Sequence, residues 1–136
     1  MRLPTVLLVA ILCLGCSDNS GLVGKWEMKQ VTVASTGKTR AASGQGYMEF
    51  KADGTVFSTS NFGGMANRSQ GTYILKGNTL TTHLEKSEMR FAGSDKWMTG
   101  NGAGTETAEI ELKGTSLTMR TNFKGEVLVT RYEKAP

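Results

Sequence analysis

The stretch TAEIELKGTSLTMR, residues 107–120, decides the fold class of this chain. On both sides of Gly114-Thr115, apolar residues alternate with polar residues along the sequence. This alternation is typical of β-strands with one buried face and one wet face, and glycine favours the tight turn of a hairpin. The stretch therefore predicts an antiparallel hairpin. No part of the chain after the first sixteen residues shows the apolar spacing of an amphipathic helix over helical length.

Turn signals extend this pattern towards the start of the chain. Asp53-Gly54 and Gly77-Asn78 are further tight-turn signals, because these residue types tolerate the positive φ that such turns need. The chain also contains 17 glycines and many short alternating runs. Together they predict an all-β domain of about eight antiparallel strands. We expect these strands at residues 22–33, 45–52, 55–61, 69–76, 79–91, 105–113, 116–122 and 126–133.

Tight and longer connections alternate between the predicted strands. In an up-and-down barrel, successive connections lie at opposite ends, because neighbouring strands run in opposite directions. We therefore expect one end of the barrel to be closed by tight turns. The other end should carry the longer or looser connections, at residues 34–44, 62–68, 92–104 and 123–125.

The first sixteen residues are typical of an exported protein. Arg2 is their only charged side chain, and residues 3–14 are almost wholly apolar. This run is shorter than the roughly 20 residues of a spanning helix, so residues 1–15 are predicted to be a signal peptide. The run Cys13-Leu14-Gly15-Cys16 resembles the bacterial lipobox, which implies cleavage before Cys16 and acylation of that cysteine. The alternative is an ordinary secretory signal with an incidental cysteine.

The cysteine content agrees with an acylated precursor. Both cysteines of the chain, Cys13 and Cys16, lie in or beside the signal, so no disulfide is expected in the domain. Residues 16–21 then form a polar tether, and residues 22–136 form the barrel domain. The resemblance implies a bacterial envelope protein anchored to the membrane through lipid on Cys16. Because Ser17 follows that cysteine, where aspartate would resemble an inner-membrane retention signal, the periplasmic face of the outer membrane is favoured.

Two short motifs resemble those of the lipocalin and calycin barrels. Gly24-Lys25-Trp26 resembles the G-x-W signature of the first strand, and VTRYEK at residues 129–134 resembles the last strand. The resemblance implies a lipocalin-like up-and-down barrel with Arg131 packed over Trp26 at its closed end. The fatty-acid site of the related fatty-acid-binding proteins does not carry over. Their R-x-Y motif is replaced by adjacent Arg131 and Tyr132, which point to opposite faces of a strand.

The sequence gives little support for catalysis or cofactor binding. His83 is the single histidine, and no G-x-S-x-G nucleophile motif is present. The glycines of residues 100–104 lack the strand and helix of a dinucleotide site. Glu106, Glu109 and Glu111 are interpreted as the solvated face of a strand. We expect no enzyme, no cofactor and no metal site, and the net charge of +4 without a basic run argues against nucleic acid.

The leading functional interpretation is a binding protein whose barrel holds a small apolar or amphiphilic ligand. Phe62, Met65 and Trp97 are the candidate ligand contacts, because they are apolar residues within the predicted longer connections. An envelope protein-interaction module with a solid barrel, acting as an inhibitor, chaperone or assembly factor, is the alternative. The same connections carry cations that predict a basic mouth suited to an anionic amphiphile: Lys38, Arg40, Arg68, Lys96 and Lys124.

Overall fold

The computed structural model describes residues 21–100 and 102–136. The predicted signal peptide, the cysteine at position 16 and most of the predicted tether lie outside these residues. No helix in the described part of the chain has the length and hydropathy needed to cross a membrane.

The described residues form ten β-strands in one antiparallel sheet. Their order is β10-β9-β8-β6-β5-β4-β3-β1, and β10 pairs with β1 to close the sheet into a barrel. Two further short strands lie beside this path, since β2 pairs with β1 and β7 pairs with β6. The predicted fold class, an eight-stranded antiparallel barrel, is confirmed. The strands are β1 Gly24–Val33, β2 Lys38–Ala41, β3 Gly46–Phe50, β4 Thr55–Phe62, β5 Met65–Lys76, β6 Thr79–Phe91, β7 Met98–Thr99, β8 Gly104–Lys113, β9 Ser116–Phe123 and β10 Glu126–Lys134.

The prediction of a long connection at residues 62–68 is wrong. Strand β5 begins at Met65, which pairs directly with Phe62 across a two-residue turn. That turn is Gly63-Gly64, with φ angles of 60° and 77° that glycine adopts without steric cost. Residues 66–68 resemble a loop in sequence because neither face of the strand carries a large apolar side chain there. The chain therefore turns tightly at both ends of the barrel.

The other predicted connections also contain more structure than expected. Strand β2 lies within residues 34–44, and β7 lies within residues 92–104. The connection between β9 and β10 is the two-residue turn Lys124-Gly125. Long irregular segments therefore make up less of this end than the sequence indicated.

One half of the barrel interior is filled by large side chains. Directly paired residues share a face of the sheet, so the register shows which side chains point inwards. Inward-facing residues near the turns Gly77-Asn78 and Gly114-Thr115 form one buried cluster. We call this cluster the closed half; it contains Leu22, Trp26, Phe50, Val56, Tyr73, Leu75, Leu80, Ala108, Ile110, Leu117, Met119 and Tyr132. The open half is the opposite end, which carries the turns Gly63-Gly64 and Lys124-Gly125.

Trp26 lies at the bottom of the closed half and has no exposed surface. Its indole Nε1 donates a hydrogen bond to the carbonyl oxygen of Leu22 at 2.8 Å. The prediction that Arg131 covers Trp26 is wrong. Arg131 is exposed on the outer face, because it alternates with the inward-facing Tyr132. Lys134, two residues beyond Tyr132, pairs with Trp26 instead, and its Nζ lies 5.5 Å from the indole ring centroid.

Candidate functional site in the open half of the barrel

The open half encloses a cavity of about 220 Å³. Four residues of the closed half, Leu80, Ala108, Met119 and Tyr132, also border this space. An apolar protein cavity of about 150 Å³ is large enough to bind benzene. The cavity therefore has room for a single ring with a short substituent, or for a short chain.

Polar side chains line much of this cavity. Ser58 pairs with Ser69, and Ser69 pairs with Ser87 on the next strand. The hydroxyl groups of Ser69 and Ser87 are 3.3 Å apart and hydrogen-bonded. The surface is therefore amphiphilic, with hydroxyl groups beside thioether and aliphatic groups. We call the inward-facing serine, threonine, asparagine and glutamate residues of this lining the polar belt; it contains Ser58, Ser60, Asn67, Ser69, Thr82, Glu106, Thr121 and Thr130.

Among the residues that the structure describes, Glu106 is the only charged one that lines the cavity. It pairs with Thr82, a buried residue of the polar belt, so it lies on the inner face of β8. Glu106 is exposed to solvent, as the sequence predicted, but it does not share a face with Glu109 and Glu111. Alternation places Glu106 on the same face as Ala108, whereas the other two carboxylates face outwards. Glu106 remains exposed to solvent and belongs to none of the salt bridges of the described residues.

Trp97, predicted as a ligand contact at the mouth of the barrel, does not border this cavity. It lies over outward-facing residues of β5 and β6, with Arg68 Cζ 4.0 Å and Arg90 Cζ 4.8 Å from the indole ring centroid. Arg68 also forms a 2.7 Å salt bridge with Glu88. A hydrogen bond donated by Lys86, and a weaker contribution from one donated by Arg68, hold the pKa of Glu88 below its usual value. Trp97 and Arg68 therefore belong to a cluster on the outer surface, and no single basic mouth forms.

Phe62 and Met65 lie side by side at the rim of the open half. They occupy the next inward-facing positions beyond Ser60 and Asn67, which border the cavity. Neither of the two candidates borders the cavity itself. The Cζ atom of Arg40 lies 4.9 Å from the Phe62 ring centroid. One of the predicted mouth cations therefore does reach the predicted apolar rim.

His83 lies on the outer face of β6, away from the cavity. It is exposed, and its Nδ1 lies 2.9 Å from the hydroxyl oxygen of Thr105. Among the described residues, no three His, Cys, Asp or Glu side chains are grouped closely enough to hold a metal ion. The polar and polarisable groups on the cavity wall are hydroxyl, amide and thioether groups and one carboxylate.

Comparison with known proteins agrees with this architecture. Residues 22–119 match the model of a family described as a lipocalin-like domain. The chain belongs to the lipocalin-like domain family. A lipocalin-like protein from Bacteroides uniformis ATCC 8492 has a similar structure, with a TM-score of 0.56 and 20% sequence identity over 85% of this chain and 99% of that chain. An uncharacterized protein from Bacteroides eggerthii DSM 20697 gives a TM-score of 0.53 and 20% identity over 83% and 98% of the two chains. No curated protein matches the sequence.

Sequence reasoning missed most of the polar belt of this lipocalin-like domain. The usable signal is the spacing of residues along the strand. Ser58 and Ser60 continue the face of Val56, which is buried, and Asn67 and Ser69 face them from β5. Polar residues at core-facing positions are unusual in a solid barrel, so counting along each strand from a buried residue identifies the cavity wall.

Proposed function

We propose that this lipocalin-like domain binds a small amphiphilic ligand in its open half, as part of a bacterial envelope lipoprotein. The observation that carries this proposal is the cavity of about 220 Å³ above a tightly filled closed half. Protein interiors are normally packed to the density of organic crystals, so a cavity of this size within a barrel indicates room for a ligand. A ligand that fills the cavity gains contacts with its apolar wall.

The lining of the cavity fits an amphiphile better than a hydrocarbon. Met28, Met48, Met119 and Leu84 supply an apolar surface for a ring or short chain. Methionine side chains are flexible and polarisable, and they adapt to ligands of different shape. The polar belt supplies hydrogen-bonding groups for the other end of the ligand. Small-molecule pockets likewise combine apolar surface with placed polar groups.

Methionine methyl groups offer a direct test of binding. We expect that the ¹³C-labelled ε-methyl signals of Met28, Met48 and Met119 shift and saturate when a single-ring amphiphile is titrated into the domain. Mass spectrometry of an organic extract of the purified protein should also reveal a bound small amphiphile. If a broad panel of small amphiphiles leaves all three signals unmoved and the extract contains no ligand, the proposal is wrong.

The envelope location rests on residues 1–16 alone. More than one acyl chain on Cys16 would hold the domain at the membrane, because a single chain gives only marginal, reversible binding. We expect Cys16→Ala to release the protein from the membrane or to stall its processing. Unchanged membrane association together with an unchanged mature mass would contradict the lipoprotein assignment.

A protein-interaction role is the second candidate, and one observation favours it. Phe91 and Phe123 lie at the open end and are 52% and 58% exposed. Exposed apolar side chains that cluster in patches often mark interaction sites. This role does not depend on whether the barrel is solid, as the alternative predicted from the sequence assumed. Cross-linking in cells, with Phe91→Ser and Phe123→Ser as matched variants, should capture a partner that both substitutions lose if this role is the true one.

A further inference from the structure

We infer that the cavity ligand carries an amine, whose ammonium group is recognised by the carboxylate of Glu106. This inference rests on the proposed ligand-binding function and names the chemical class of the ligand. It replaces the anionic amphiphile that the basic side chains of the sequence predicted.

The position of Glu106 carries the inference. Within the described ranges 21–100 and 102–136, Glu106 is the only charge on the cavity wall. Its neighbour Thr82 is a buried hydroxyl residue on the same inner face. None of the salt bridges among the described residues involves this carboxylate. A carboxylate accepts hydrogen bonds and donates none, so its natural partner in a ligand is a cationic donor.

The cations expected at the mouth do not reverse this preference. Arg68 is held on the outer face by its salt bridge with Glu88. Lys124 Nζ lies 5.3 Å from the Phe123 ring centroid, and Arg40 Cζ lies 4.9 Å from the ring of Phe62 at the rim. None of these cations lines the cavity. A ligand carboxylate inside the barrel would therefore meet the like charge of Glu106 without a compensating cation on the wall.

The cavity also limits the size of the ligand. A volume of about 220 Å³ accommodates one ring with a short substituent. Leu80, Ala108 and Met119 border the cavity from the closed half and provide the apolar surface for that ring. Ala108 and Glu106 are successive inward-facing residues of β8, so an aminoalkyl group attached to the ring can reach the carboxylate.

Three ligands of nearly equal size test the inference: 2-phenylethylammonium, 2-phenylethanol and phenylacetate at pH 7. Titrations followed through the Met28, Met48 and Met119 methyl signals give the three dissociation constants. We expect the ammonium compound to bind about threefold or more tightly than the alcohol, the scale of a partly screened ion pair. Phenylacetate should bind more weakly than the alcohol.

Two variants separate the charge from the cavity. Glu106→Gln keeps the size of the side chain and should abolish the preference for the ammonium compound over the alcohol. Glu109→Gln changes the same residue type on the outer face of the same strand, and it should preserve the preference.

The possible failures are distinguishable. Equal binding of the three compounds, tightest binding of phenylacetate, or an unchanged preference in Glu106→Gln overturns the inference but leaves a ligand cavity in place. If none of the three compounds binds, this inference is overturned. If the wider panel of amphiphiles also fails, the proposed function is overturned with it.

Discussion

The closed and open halves of this barrel have the same backbone architecture but different interiors. In the closed half, apolar residues face inwards, and Trp26, Phe50, Leu22, Leu80 and Leu117 are fully buried. In the open half, serine, threonine, asparagine and glutamate residues line a cavity of about 220 Å³. The difference separates two roles within one sheet. The closed half supplies most of the stabilising burial, and this allows the open half to keep a polar, incompletely packed interior.

Removing the largest side chain of the closed half tests whether this half supplies most of the stability. Trp26→Ala should lower the free energy of unfolding by about 3–5 kcal/mol, because it leaves a large cavity and the carbonyl of Leu22 loses its donor. Urea denaturation measures this change. Trp97→Ala is the matched control, since it removes the same side chain from the outer face, and it should cost much less. Similar losses for the two variants would contradict the assignment of stability to the closed half.

Alkaline pH should lower the free energy of unfolding through Tyr132, which lies where the two halves meet. Burial raises the pKa of Tyr132 to about 12, above the value near 10 of an exposed tyrosine. The folded state therefore holds the phenol proton more tightly than the unfolded state. The resulting stability is fully present below pH 10 and is lost as the pH rises towards 12, by about 2–3 kcal/mol.

Unfolding free energies measured between pH 9 and 12 test this dependence on Tyr132. Tyr132→Phe should remove most of this alkaline loss, because the variant has no proton to release at that position. Tyr47→Phe, on the outer face beside Lys25, should retain it. A wild-type alkaline profile in Tyr132→Phe would show that another group is responsible.

The cation beside Trp26 should contribute only a little to stability. Lys134→Met keeps most of the apolar stem but removes the charge, and it should cost about 0.5–1 kcal/mol, the range of an exposed cation–π contact. Arg131→Met on the outer face should leave stability unchanged within about 0.5 kcal/mol. Thermal unfolding of both variants provides the comparison. A larger loss for Arg131→Met would support the prediction from the lipocalin resemblance, that Arg131 packs over Trp26.

The same difference explains what the sequence could predict. Strands of the closed half show the alternation that Ala108, Ile110 and Leu117 illustrate, so the hairpins and the fold class follow from the sequence. In parts of the open half, such as residues 66–68, neither face of a strand carries large apolar side chains, and the periodic signal disappears. These residues therefore resemble a loop in sequence. Glu106 resembles a residue of the outer face, although its spacing from Ala108 places it on the inner face, where it is still exposed to solvent.

The sequence alone does not predict contacts that depend on three-dimensional packing. Trp97 is apolar and lies in a long connection, so it was a reasonable candidate for the mouth. Its position depends on Arg68 and Arg90, which β5 and β6 bring together on the outer face. No local pattern in the sequence reveals that these two cations meet the same ring.

Filling the cavity tests whether the open half is a ligand site. Ser58→Leu places a larger apolar side chain at an inward-facing position of the cavity wall. Thr72→Leu, on the outer face of β5, is the control. We predict that Ser58→Leu leaves the free energy of unfolding within about 1 kcal/mol of the wild type, since the added atoms enter empty space rather than a packed core. Its methionine methyl signals should no longer respond to 2-phenylethylammonium, whereas Thr72→Leu should bind normally. Wild-type binding by a folded Ser58→Leu variant would contradict a ligand site in the open half.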